Sequence, residues 1–168
     1  MKDVPEVIRE GVLGVAKLMA ISAMTAPKAR GVNNVVVKIL ESKEELEVLA
    51  KAMEEMAPNY GNFLVRDANC IRKSEAVVLI GCKIVDIGLK QPRELEVDVN
   101  LAMSLVNLGI AVGSAVKTAS LLNVDNRVMY SAGLVAKKLK LIEADIVLGI
   151  PLSVTSKNIF FDRVWPPK

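Results

Sequence analysis

Seven consecutive residues, Ala76–Cys82 (AVVLIGC), carry no charge and no amide or hydroxyl side chain. In a strand, successive side chains point to opposite faces. A strand without polar alternation is therefore covered on both sides, as the inner strand of a sheet between two layers is. This run requires the rest of the chain to supply cover for both faces.

Helical periodicity supplies it. Val4, Val7, Ile8, Val12, Val15, Leu18, Met19 and Met24 recur at threes and fours, with Pro5 in the first turn, and predict a helix over 4–24. Gly11 and Gly14 weaken it unless they admit a close helix contact. The β-branched run Asn34–Leu40 predicts a strand. Ser42 and Glu45 have capping-box spacing and open a helix over 43–57, ended by Pro58 and Gly61. Asn62–Arg66 (NFLVR) reads as a further strand, with Asp67 capping a short helix over 68–73. Residues 83–97 have no clear period, and Gly88 and Pro92 mark turns. Helices follow over 98–122 and 126–140, the first apolar nearly all round. A last strand, Asp145–Ile150, is stopped by Pro151. This alternation predicts an α/β (α+β) fold, one sheet flanked by helices, as a single domain over 1–168. Strand directions do not follow from it.

Composition narrows the function classes. Hydrophobic residues are 52% of the chain but aromatics only 4%, so the core is aliphatic. The 22 cations and 19 anions leave a net charge of +3, and no basic cluster is interleaved with aromatics, so a nucleic-acid partner is not expected. The cations of Ala136–Lys140 fit a helix C-terminus. No unbroken apolar run reaches the roughly 18 residues that span a bilayer, and the first residues have no apolar signal core. A cytoplasmic location without membrane attachment is expected. The chain has no His, which excludes His-based triads, general bases and metal sites. Its two cysteines, Cys70 and Cys82, cannot alone hold a four-thiolate centre. Abundant Lys, Glu, Val and Ile beside a single Gln suit a hyperthermophile.

Four polar joints interrupt the aliphatic pattern. The first is TAPKARGVNN, where Thr25, Lys28, Arg30, Asn33 and Asn34 crowd a helix-to-strand turn. Cations and amides there can hold a phosphate or a polar ring edge, and the plain alternative is a solvated turn. The second is Asn107–Ser120, where Gly109 and Gly113 stand in G-x-x-x-G spacing and leave a smooth groove for another backbone or a flat ring. Tight helix packing in the core is the plain and preferred alternative, and a dimer seam is the intermediate case. The third is Val124–Gly133, where Asp125 or Asn126 can cap a helix and Arg127 can fix a phosphate or carboxylate. A surface ion pair is the plain alternative for Arg127. The fourth is Pro151–Asn158, a hydroxyl-rich loop carrying Lys157 after a strand end.

The segments MTAPKARGVNN, RKSEAVVLIG, LGIAVGSAVKTASLLNVDNRVMYSAG and DIVLGIPLSVTSKNIFFDR resemble an uncharacterised prokaryotic family labelled as containing a ferredoxin domain. The resemblance spans roughly 10–163. That label implies a cysteine-rich segment of Cys-Gly-x-Cys-Gly character after the buried strand. Here the matching stretch, Gly81–Met103, contains only Cys82, so no iron–sulfur cluster is expected. TAPKARGVNNVVV and VLGIPLS are more loosely similar to nitroreductase-like flavoproteins, which have a helix, an Ala-Pro-Ser turn and a strand, and later a strand ending in Gly-x-Pro. That resemblance implies a homodimer with FMN at the dimer interface. Thr25, Lys28, Arg30 and Asn33 would contact the cofactor, and Arg127 and Lys157 its phosphate. This chain is shorter and lacks an early Arg-Arg-Ser phosphate motif.

Two functions therefore stand open. One is a flavin-binding redox protein, in which the cofactor carries the electrons. The other is a non-catalytic dimeric binding or assembly protein that has lost a redox centre. A redox thiol at Cys70 or Cys82 is a third reading, weakened by the lack of a C-x-x-C pair.

Overall fold

The computed structural model describes residues 2–161. Helix α1 (Val4–Thr25) leads through a 3₁₀ turn (Ala29–Gly31) to β1 (Val35–Leu40). Helices α2 (Lys43–Tyr60) and α3 (Phe63–Arg72) precede β2 (Ala76–Cys82). A long loop then reaches α4 (Val99–Leu121), followed by β3 (Asp125–Asn126), α5 (Tyr130–Lys138) and β4 (Ile146–Ser153). The four strands form one antiparallel sheet in the order β1-β2-β4-β3.

Every residue of β2 is buried. Val77 and Leu79 join a core formed with α2, α3 and α5, while Ala76, Val78, Ile80 and Cys82 join a second core with α1 and α4. The two-faced apolar run thus divides the molecule into helices, sheet and helices. On the α5 side the approach is close. A Cβ on Gly133 would lie 2.0 Å from the Val147 carbonyl oxygen, so only glycine lets α5 sit on β4 there.

The capping box of α2 forms as expected: Glu45 N–H donates to Ser42 Oγ at 3.1 Å, and Glu45 Oε2 accepts from Ser42 N–H at 3.0 Å. Four expectations are corrected. NFLVR is no strand but runs into α3, because Leu64, Asp67, Ala68 and Ile71 recur at helical spacing and are buried together. Asp67 is consequently inside the helix and does not cap it. Helix α2 continues through Pro58 to Tyr60. Asp125 and Asn126 form β3 and do not cap α5, whose N-cap is Met129.

Strand β4 also runs through Pro151. Gly149 exchanges two hydrogen bonds with Met129, at 2.8 and 3.0 Å, so alternate residues of β4 face β3. Pro151 falls on that side between Gly149 and Ser153, where the β3 ladder skips a residue and no N–H is needed.

Helix α4, at 23 residues, is long and apolar enough by length and composition to cross a membrane, contrary to the run-length expectation. Its inner face nevertheless packs on α1 and the sheet and buries Ser104 and Asn107. Its outer face exposes Leu105, Val106, Gly109, Ile110 and Gly113. Beside it, α1 exposes Val4, Val7, Gly11, Gly14, Leu18 and Ile21, a stripe at alternating spacings of three and four. None of these four glycines has another group within 4 Å of where a Cβ would sit. The expected close contact at Gly11 and Gly14, and the core packing weighed for Gly109 and Gly113, are therefore not made among the described residues.

Candidate functional site

The turn from α1 to β1 is held by its own polar groups. Lys28 Nζ donates to the carbonyls of Ala23, Met24 and Ala26, at 3.2, 2.6 and 2.7 Å, closing the C-terminus of α1. Burial pushes its ammonium below the usual lysine range. All three of its protons thus have acceptors inside the chain. Thr25 Oγ1 donates back to Ile21 and Ser22. Asn34 is buried, donates to the Lys83 carbonyl at 2.7 Å and accepts from Asn107 Nδ2 at 2.9 Å. Asn107 Oδ1 in turn accepts from Ala29 N–H at 2.8 Å. Asn33 is exposed.

Arg30 differs from its neighbours. Its φ of 51° lies in the left-handed region, which costs a non-glycine residue roughly 1–2 kcal/mol. Its Nη1 donates to the carbonyls of Ile87 and Gly88, at 3.3 and 2.6 Å. These partners are neutral carbonyls, and Arg30 has no ion pair among the described residues. Ala20, Ile21, Met24, Thr25 and Val35–Val37 line an open, largely apolar groove of about 500 Å³ between α1 and β1. A flat ring suits such an apolar slot, and of the sequence candidates Thr25 lines it, while Arg30 and Asn33 lie in the turn that follows α1.

The third and fourth sequence candidates meet elsewhere. Ser120, Asn123, Asp125, Asn126 and Asn158 line a polar bowl beyond the end of α4. Arg127 donates to the Phe160 carbonyl at 3.0 Å and lies 5.0 Å from the centroid of the Phe161 ring. Lys157 is exposed on the same loop as Asn158, and its carbonyl accepts from Thr155 Oγ1.

The sheet register separates the two clusters. Val35 pairs with Cys82, which pairs with Ile146 at one end of β4, whereas Asp125 pairs with Ser153 at the other. Three strand spacings and seven residues of β4 put them at diagonal corners, roughly 25 Å apart. Within one chain, Arg30 and Arg127 cannot grip the same small ligand.

The cysteines are likewise apart. Cys70 belongs to the core on one face of the sheet and Cys82 to that on the other. Burial, followed by the nearby Asp145 carboxylate, pushes the Cys82 thiol up.

Sequence reasoning overlooked one polar set. Asn100, Ser104 and Asn107 stand at i, i+4 and i+7 on the inner face of α4. Asn100 Oδ1 accepts from Ile87 N–H at 3.0 Å. Ser104 is fully buried, and its Oγ has no hydrogen-bond partner among the described residues. The signal was visible as three hydrogen-bonding side chains repeating at helical period in the otherwise apolar first half of α4.

The fold is shared with known proteins. A nitroreductase with bound FMN from Desulfitobacterium hafniense superposes with a TM-score of 0.61 at 14% identity, over 86% of this chain and 78% of that one. A hypothetical oxidoreductase, YcnD, from Bacillus subtilis gives 0.58 at 14% identity, over 86% of this chain. This chain spans only 58% of the YcnD length. At these identities the likeness is one of fold: the molecule has the nitroreductase architecture. In sequence, an uncharacterized protein of Archaeoglobus fulgidus is 42% identical over 171 residues, covering 92% of each chain. Residues 97–163 match the family described as "Uncharacterized protein containing a ferredoxin domain (DUF2148)". With a relative so similar along nearly its whole length, the chain belongs to this uncharacterised ferredoxin-domain family.

Proposed function

We propose that the protein binds FMN between two copies of itself and serves as a flavin redox protein. The observation that carries this reading is the apolar groove between α1 and β1, a slot for a flat ring with Thr25 on its wall. The fold supports it, since one protein of this architecture holds FMN.

The donors present suit such a ligand unequally. Thr25, on the groove wall, and Arg30 and Asn33, in the turn that follows, are exposed and would hold the ring edge or an anionic group. Lys28 and Asn34 would act indirectly, because their hydrogen bonds already shape the turn. Arg127 and Lys157 lie too far away in the same chain, so in this reading they belong to the partner copy's half of a site. The exposed stripes of α1 and α4 give that copy an apolar surface to cover. When bound, FMN would supply reversible electron transfer. The chain's part would be to shield the ring with Ile21, Met24 and Val36, which line the groove, and to offer the Arg30 charge from the adjoining turn.

The test is reconstitution with FMN followed by gel filtration. Flavin absorbance eluting with the protein supports the reading, and a colourless protein peak removes it. The second reading, a dimeric assembly protein without a cofactor, is favoured by the same exposed helical stripes. It predicts a dimer that elutes without flavin.

A further inference from the structure

Residues 83–98 form the longest described stretch without helix or strand, and they behave as one unit. Gln91 staples the stretch from inside: its Nε2 donates to the Leu95 and Val97 carbonyls at 2.8 and 3.1 Å, and its Oε1 accepts from Val99 N–H at 2.9 Å. At its start, Ile84 N–H donates to Asp145 Oδ2 at 2.7 Å. In the middle, Ile87 is the buried plug, tied to Asn100, while Arg30 grips the carbonyls of Ile87 and Gly88.

Asn100 and Asn107 flank Ser104 on α4. The first is bonded to this loop and the second to the turn at Ala29 and Asn34. Ser104 therefore lies between the two on α4, with a buried hydroxyl that has no hydrogen-bond partner among the described residues. A fixed cover would leave that penalty permanent, whereas a cover that moves exposes Ser104 to a partner.

We propose that residues 83–98 are a lid latched by Arg30, and that a phosphate-bearing ligand opens it by drawing the guanidinium away from Gly88. The latch is made of neutral carbonyl acceptors in an exposed place. A phosphate offers charge-assisted, two-pronged bonds to the same guanidinium, and these are stronger. Opening uncovers the floor formed by Asn34, Ser104 and Asn107, whose amides and hydroxyl suit a polar ligand edge. The lid rests on reading the Thr25–Asn34 turn as an anion site, though not on that anion being a flavin.

Hydrogen exchange of the full chain, with inorganic phosphate as the probe, tests it. In Arg30→Ala, peptides covering 83–98 should exchange about tenfold faster, matching the loss of a hydrogen bond from a charged donor. Phosphate should produce the same acceleration in the unaltered protein and add none in Arg30→Ala, with Ala76–Cys82 protected throughout. A Cβ at Gly88 would sit 2.4 Å from Arg30 Nη1, so Gly88→Ala should accelerate the same peptides from the other side of the latch. Unchanged exchange in either variant, or an unmoved loop under phosphate, overturns the lid. If phosphate opens the loop but FMN does not bind, the flavin reading alone falls. If FMN binds with the loop unmoved, the lid alone falls.

Discussion

Asn107 and Asn34 join their buried carboxamides at 2.9 Å, tying the inner face of α4 to the entrance of β1. Asn107 also holds Ala29 N–H, so one side chain fixes the middle and the far end of the polar turn. Asn107→Leu would leave Asn34 Oδ1 and Ala29 N–H unpaired and should cost about 3 kcal/mol. Urea unfolding checks this: the midpoint should fall, with the slope unchanged.

Arg72 is clamped between Glu47, at 2.9 and 3.3 Å, and Glu54, at 2.5 and 2.8 Å, joining α3 to α2. These hydrogen bonds hold both carboxyls below the usual glutamate range and raise the guanidinium. Carboxyls depressed in the folded state contribute stability that is present above their unfolded pKa and lost as pH falls through the folded value. Arg72→Gln should therefore lower the melting temperature at pH 7, and the gap should close as pH drops below about 4. A gap independent of pH would show that packing of the arginine stem, not its charge, matters.

Ser131 donates to the buried Asp67 carboxylate at 2.6 Å, and Arg66 Nε approaches the other oxygen at 2.8 Å. Ser131→Ala removes a hydrogen bond to a charged group in the contact between α5 and α3, at a cost of about 2 kcal/mol. Thermal unfolding of Ser131→Ala beside Ser131→Thr, which keeps a hydroxyl, separates the lost bond from a change of volume.

Gly109 and Gly113 distinguish a free helix face from a covered one. On a free face each Gly→Ala change stabilises α4 by about 1 kcal/mol. In a dimer seam the added methyl groups obstruct the approaching copy. The double variant should therefore sediment as a lighter species than the unaltered protein. A stabilised variant of unchanged mass would place the seam elsewhere.

Much of this arrangement was legible in the sequence. The apolar run of β2 implied two layers of cover, and Ser42 with Glu45 marked the start of α2. Phe63–Val65 misled because a short run of aromatic and branched residues favours a strand locally, while the buried period that decides the matter extends to Ile71. Pro151 misled because its tolerance depends on which neighbour its missing N–H faces, a property of strand order. The polar turn was visible as a candidate. Its internal bonds were not, since Asn107, Lys83 and Gly88 reach it from distant parts of the chain. The separation of Arg30 from Arg127 likewise follows only from the register of four strands.

Sedimentation velocity of the FMN-reconstituted protein, followed through the flavin's visible absorbance, tests the central claim most directly. The account predicts that bound flavin sediments with a dimer, and that Arg30→Ala releases it while Lys28→Ala weakens it less. Flavin that sediments free of the protein, or with a single copy of the chain, would contradict it.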